Sequence, residues 1–90
     1  MGWSCDWETG KLMNKIFNLA KEGLIYYNGD ELFLEPSNKE YDDGRILIHV
    51  YKIIDKTKQL CVRVGSFYIL PGGKISQKVI RKFPFLKKVV

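Results

Sequence analysis

The chain has 90 residues, of which 46% are hydrophobic and 28% are charged, and its formal net charge is +5. This composition is typical of one globular domain over residues 1–90 and excludes an extensively disordered chain. The longest internal run without a charged residue, residues 64–73, is far shorter than the roughly 18 residues of a membrane span. Asp6, Glu8 and Lys15 interrupt the N-terminal region, which predicts no signal peptide and a reducing, cytoplasmic location.

The first predicted element is an amphipathic helix over residues 11–22. Leu12, Ile16 and Leu19 recur at helical spacing, and Gly23 is a typical residue at the end of a helix. We expect the apolar stripe of this helix to pack into the core.

A β-hairpin is predicted next, between apolar runs at residues 24–27 and 31–35. The Asn28-Gly29 step between the runs tolerates the positive φ angles of a tight turn. Residues 36–44 then contain a loop and a turn, in which Asp42 and Asp43 act as turn formers.

The longest predicted strand covers residues 45–54 and is apolar on both faces, which favours a central position in the sheet. A second strand is predicted over residues 59–64, with Leu60, Val62 and Val64 facing inward. Gly65-Ser66 predicts a break or bulge, and residues 67–70 form a last short strand.

The C-terminal region predicts a short basic helix over residues 74–83, which Pro84 ends. Lys87 and Lys88 are expected in a mobile tail. The predicted fold is therefore α+β. A small antiparallel sheet of four to five strands, in two hairpins, carries an N-terminal amphipathic helix and a short C-terminal basic helix.

Charge is distributed very unevenly along the chain. Residues 1–43 hold four Lys or Arg and nine Asp or Glu, whereas residues 44–90 hold eleven Lys or Arg and one Asp or Glu. The net charges of the two halves are therefore −5 and +10. The basic half predicts an anionic partner, and the alternative is that the acidic half folds back and neutralises it.

Catalytic, metal and cofactor sites are not predicted. His49 is the only histidine and lies inside a strand, and no nucleophile-and-base pattern or phosphate-binding loop is present. Cys5, Cys61 and His49 are too scattered for a typical metal site, and the apolar context of Cys61 predicts a buried free thiol. We therefore expect a protein that is not an enzyme.

The function that charge favours is a binding module that places its basic half on an acidic protein surface. Lysines and arginines of the second helix and of the central hairpin would make the contacts. The predicted binding residues are Arg45, Lys52, Arg63, Lys74, Lys78, Arg81 and Lys82.

Residues 41–68 resemble the growth-arrest-specific-related (GAR) domain in a Tyr-x-x-Gly turn, an apolar strand and a Val-Arg-Val-Gly segment. The matching residues are Tyr41, Gly44, Val62, Arg63, Val64, Gly65 and Tyr68. The family's triple glycine is Gly65-Ser66-Phe67 here, and its upstream cysteine pair is missing. The resemblance implies a small α+β module that binds microtubules, with Arg63 in a charge contact and the valines packed.

Two alternatives use other surfaces. The chain is a small nucleic-acid-binding protein, regulatory or viral, if exposed Tyr51 or Phe67 stacks on bases, so the burial of Tyr51, Phe67 and Tyr68 separates this hypothesis from the first. In the third hypothesis, the acidic N-terminal half, with Trp3 and Trp7, binds a protein partner, or these tryptophans cover the open face of the sheet.

Overall fold

The computed structural model describes residues 7–23, 25–27 and 29–89. In this part of the chain, helices pack on one side of an antiparallel sheet. None of the helices within these residues is both long and apolar enough to cross a membrane. The helices are α1 (Trp7–Lys21), α2 (Gln77–Lys82) and a 3-10 helix (Pro84–Lys88). The strands are β1 (Tyr26–Tyr27), β2 (Asp30–Pro36), β3 (Ile46–Asp55) and β4 (Leu60–Ile69).

The strands form the order β1-β2-β3-β4, and each neighbouring pair is antiparallel. The α+β class and the antiparallel sheet are thus confirmed. The expected four to five strands are not confirmed, because only three strands have seven or more residues and β1 contributes two. The predicted strands 59–64 and 67–70 are one continuous strand, β4, and β3 is central as expected.

A β-bulge interrupts the pairing of β3 with β4. Val50 pairs with Gly65 and Tyr51 pairs with Arg63, so Val64 has no partner on β3. The extra residue reverses the alternation of side chains along β4. Phe67 therefore faces the helices together with Ile48, whereas Arg63 faces the other side together with Tyr51.

The predicted inward orientation of Leu60, Val62 and Val64 is wrong, because all three side chains are exposed. Val62 pairs with Lys52, on the side of the sheet that carries the helices. The buried part of β3 ends at Val50. Beyond this residue, the end of the β3–β4 hairpin extends past the helices. Cys61 belongs to the same projecting end and is exposed, not buried.

The core lies between the helices and one face of the sheet. Helix α1 packs against β2 and buries Leu12, Met13 and Ile16, which confirms its apolar stripe. The helix begins four residues before the predicted start, and Gly23 ends it with a φ of 72° and a bond from its N–H to the Ala20 carbonyl.

The C-terminal segment is part of this core. Ser76 caps α2 by accepting a hydrogen bond from the Val79 N–H at 3.3 Å, so α2 begins at Gln77 and not at Lys74. The expected mobile tail is a 3-10 helix, because Phe85 and Leu86 are buried and hold its backbone against the sheet layer.

The turn before α2 is in direct contact with the first turn of α1. The Gly73 N–H donates to the hydroxyl of buried Thr9 at 3.2 Å. A Cβ on Gly73 would lie 2.6 Å from the carbonyl oxygen of Glu8. Only glycine therefore fits this contact, because a backbone atom cannot move aside as a flexible side chain can.

We expect Gly73→Ala to lower the free energy of unfolding by about 3 kcal/mol, because it combines an unfavourable φ with a backbone clash. Gly23→Ala is the matched control, since Gly23 has the same φ of 72° and nothing within 4 Å of the added Cβ. The control should lose about 1 kcal/mol. Urea unfolding measures both, and equal losses would contradict the close docking of α1 on this turn.

Candidate binding surfaces

The two faces of the sheet differ because only one carries helices. We call the other the open face. The side chains of β3 that lie on it are Leu47, His49, Tyr51 and Ile53, which alternate with buried Ile46, Ile48 and Val50. The structure thus provides a helical surface and an open sheet surface, which we describe in turn.

The helical surface carries a cluster of cations, which we call the basic segment. Its members are Lys74, Lys78, Arg81, Lys82, Lys87 and Lys88. All are exposed, and none forms an ion pair with a residue of the described ranges. No Asp or Glu follows Asp55 in the chain, so these positive charges follow one another along the sequence with no acidic residue between them.

A groove next to the basic segment combines apolar and cationic walls. Exposed Lys74 and Lys87 both line it. Its apolar lining consists of Leu12, Ile75, Ile80 and Val89. The aromatic residues of this segment, Phe83 and Phe85, are buried, so the basic segment presents no ring for stacking. The groove therefore suits a partner that offers apolar side chains between acidic groups.

The structure divides the seven predicted binding residues between different surfaces. Lys74, Lys78, Arg81 and Lys82 belong to the basic segment, with Lys74 in the turn before α2. Arg45 and Arg63 lie on the open face, beside Tyr68 and Tyr51 respectively. Lys52 lies on the helical side of the projecting hairpin, where its ammonium is 3.4 Å from a carboxylate oxygen of Asp30.

Ion pairs partly neutralise the basic half, and those within the described residues all lie near the sheet. Besides Lys52–Asp30, they join Arg45 to Asp43 at 2.6 Å and Lys56 to Glu31 at 2.7 Å. Each pair links an acid of residues 1–43 to a base of residues 44–90. The hydrogen bond with Glu31 raises the pKa of Lys56 above its ordinary value. The acidic half thus folds back onto the strands, and the basic segment forms no ion pair with it among the described residues.

The open face carries a row of side chains across three strands. Phe33 of β2 pairs with Tyr51 of β3, which pairs with Arg63 of β4. The ring centroids of Phe33 and Tyr51 are 6.1 Å apart, and those of His49 and Tyr51 are 6.4 Å apart. We call Phe33, His49, Tyr51 and Arg63 the aromatic row.

A hydrogen bond connects the cation of this row to its histidine. The Arg63 Nη1 lies 3.1 Å from the His49 Nδ1, so the guanidinium donates and Nδ1 accepts. Shallow grooves lie on both sides of Tyr51 and Phe33. One is lined by Glu35, His49 and Tyr51 among others, and the other by Phe33, Ile53 and Cys61 among others.

A second aromatic cluster lies at the other end of the open face. The rings of Tyr41 and Tyr68 meet edge to face at 5.5 Å, and the Arg45 guanidinium lies 5.1 Å from the Tyr68 ring centroid. A hydrogen bond with Tyr68 raises the pKa of the Tyr41 phenol. Arg45 also donates to Asp43, which lowers the pKa of that carboxyl and raises the pKa of Arg45. The charge of Arg45 is therefore already matched.

The aromatic residues that separate the hypotheses have different environments. Phe67 is buried in the core, Tyr51 is half-buried on the open face, and Tyr68 is 37% exposed. Tyr51 and Tyr68 are therefore accessible for base stacking, whereas Phe67 is not. Phe33, which is 45% exposed on the open face, is not among the predicted binding residues. Its position between buried Leu32 and Leu34 is the period-two signal that identifies it.

Other candidate groups remain separate. His49 and exposed Cys61 share the open face, and Cys5 lies outside the described residues. No group of three His, Cys, Asp or Glu within residues 7–23, 25–27 and 29–89 could hold a metal ion. Trp7 is 75% exposed at the start of α1 and does not cover the open face, whereas Trp3 lies outside the described residues.

The residues of the GAR-like motif lie around β4 and the turn before β3. The Gly44 N–H donates to the Tyr41 carbonyl at 3.1 Å with a Gly44 φ of 86°, which is the turn that the motif implies. The valines do not pack as expected, since Val62 is 55% and Val64 42% exposed. No family model, curated protein or solved structure matches the chain, so the resemblance stays a prediction.

Replacing an aromatic residue of the open face should cost little stability. We expect Phe33→Ala to lower the free energy of unfolding by about 1 kcal/mol, the usual value of an aromatic pair contact. Phe67→Ala should lower it by about 3 to 5 kcal/mol, because Phe67 is buried against Phe83. Thermal and urea unfolding measure both values, and a loss at Phe33 as large as at Phe67 would mean that the open face is core.

Proposed function

We propose that the chain is a non-enzymatic binding module that docks its helical surface on an acidic protein. The observation that carries this proposal is the basic segment, whose exposed cations lack acidic partners among the described residues. Complementary charges on two proteins accelerate their encounter and set their relative orientation.

The groove favours a protein partner over nucleic acid on this surface. Interfaces between proteins usually have an apolar centre and a polar rim, and here Ile75, Ile80 and Val89 line the same groove as Lys74 and Lys87. A nucleic acid would find phosphate contacts but no exposed ring, because Phe83 and Phe85 are buried. The partner that fits is an acidic segment with apolar side chains.

Microtubules are the concrete partner that this chemistry and the GAR resemblance both suggest. The exterior of tubulin is acidic, which suits a surface with uncompensated positive charge. Arg63, the residue that the resemblance implies in a charge contact, lies on the open face and is bonded to His49. The proposal therefore rests on the basic segment, and the resemblance only names the partner to test.

Charge reversal of the second helix tests the proposal. We expect the triple variant Lys78→Glu, Arg81→Glu, Lys82→Glu to weaken co-sedimentation with taxol-stabilised microtubules by at least about tenfold at near-physiological salt, because like charges replace complementary ones. Circular dichroism and urea unfolding establish that the variant is folded.

The matched control reverses three exposed lysines that lie outside the helices, in the variant Lys39→Glu, Lys56→Glu, Lys58→Glu. This variant has the same net charge as the first, so a nonspecific charge effect would weaken both equally. Equal weakening, or unchanged binding by the α2 variant, would contradict docking through the basic segment. Absence of binding by the unaltered protein would exclude microtubules as the partner.

A further inference from the structure

We infer that the open face is a second binding site, which takes a single-stranded nucleic acid. The site is the aromatic row, and it lies on the side of the sheet opposite the helices that carry the basic segment. The bases would stack on Phe33 and Tyr51, and a phosphate would accept hydrogen bonds from Arg63. This site is independent of the protein-docking surface.

The rings are placed to receive neighbouring bases. Phe33 is exposed, Tyr51 and His49 are half-buried, and successive centroids in this set lie 6.1 and 6.4 Å apart. Aromatic rings exposed on the face of a sheet give a base a surface to stack on, whatever the identity of the base. The groove beside Tyr51 and the groove beside Phe33 leave space for the edges of the stacked bases.

The charges of the open face set where the phosphates lie. Arg63 has no carboxylate partner among the described residues, and its guanidinium keeps free donors beyond the bond to His49. Glu35 of β2 is exposed and pairs with His49 at the edge of β3 that faces away from β4. A sugar-phosphate backbone therefore follows β4 near Arg63 and avoids β2 near Glu35.

The same geometry selects a single strand over a duplex. Paired bases are stacked on one another and cannot lie on Tyr51, so a duplex would lose the ring contacts and keep only phosphate contacts. An acidic protein would likewise gain little from the rings. The aromatic row thus distinguishes this ligand from the partner of the basic segment.

Fluorescence anisotropy with a labelled oligothymidylate of about twelve nucleotides tests the site, with a duplex of equal length as the comparison. We expect tighter binding of the single strand. Phe33→Ala and Tyr51→Ala should each weaken it about fivefold to a hundredfold, and Tyr51→Phe should retain affinity because it keeps the ring.

Charge variants then locate the phosphate. Arg63→Gln should weaken binding and reduce the slope of log K against log salt by about 0.7, the value of one phosphate contact on a single strand. Lys21→Gln makes the same change in net charge on α1 and should leave the slope unchanged. Glu35→Gln should tighten binding, and Glu22→Gln, its control beyond the end of α1, should not.

Several results would overturn the inference. The inference is wrong if the duplex binds as tightly as the single strand, or if the unaltered protein does not bind the oligothymidylate. It is also wrong if the ring variants bind as well as the unaltered protein. If the ring variants bind normally and the α2 triple-glutamate variant does not, the phosphates lie on the basic segment and the open face is not the site. Co-sedimentation with microtubules is measured separately, so failure of either proposal leaves the other intact.

Discussion

The β-bulge at Val64 controls which side chains reach each face of the sheet. With regular pairing, Arg63 and Cys61 would lie on the same face as buried Phe67 and Ile69. The bulge reverses the alternation, so Arg63 meets His49 on the open face and the positions toward the helices pass to Val62 and Leu60. At Gly65, next to the bulge, an added Cβ would lie 3.1 Å from the Phe83 ring, so an alanine there would require this ring to shift by a few tenths of an ångström.

This arrangement places cationic and aromatic side chains, which are interspersed along the sequence, on separate surfaces of the fold. The apolar positions up to Val50 are covered by α1, α2 and the 3-10 helix, and these helices carry the cations outward. Two acids of β2, Asp30 and Glu31, pair with Lys52 and Lys56 of the β3–β4 hairpin, whereas the cations of the C-terminal region form no ion pair with the described residues. One surface is thus cationic with an apolar groove, and the other is aromatic and carries Arg63, which bonds to His49 and forms no ion pair with the described residues.

Local sequence patterns predicted the elements but not their environment. The stripe of Leu12 and Ile16, the pairing of β1 with β2 and the end of α2 before Pro84 follow from residue spacing and backbone preference, and the structure shows each, although Asn28 of the predicted turn lies outside the described residues. The bulge depends on the register with β3, so the exposure of Cys61 and Val62 could not be deduced from β4 alone. The burial of Phe85 and Leu86 was equally hidden, because a short segment without periodicity carries no signal of its tertiary contacts. At the candidate sites, charge spacing found the basic segment, whereas the aromatic row required strand pairing.

The most direct test of two separate surfaces is a nuclear magnetic resonance titration of the isotope-labelled protein with the single-stranded oligothymidylate. We predict that the largest chemical-shift changes occur at Phe33, His49, Tyr51 and Arg63, and that the amides of residues 77–82 change little. The largest changes along α2 and the 3-10 helix, with the aromatic row unaffected, would contradict the account. In that case, the basic segment would be the general site for polyanions and the open face would have another purpose.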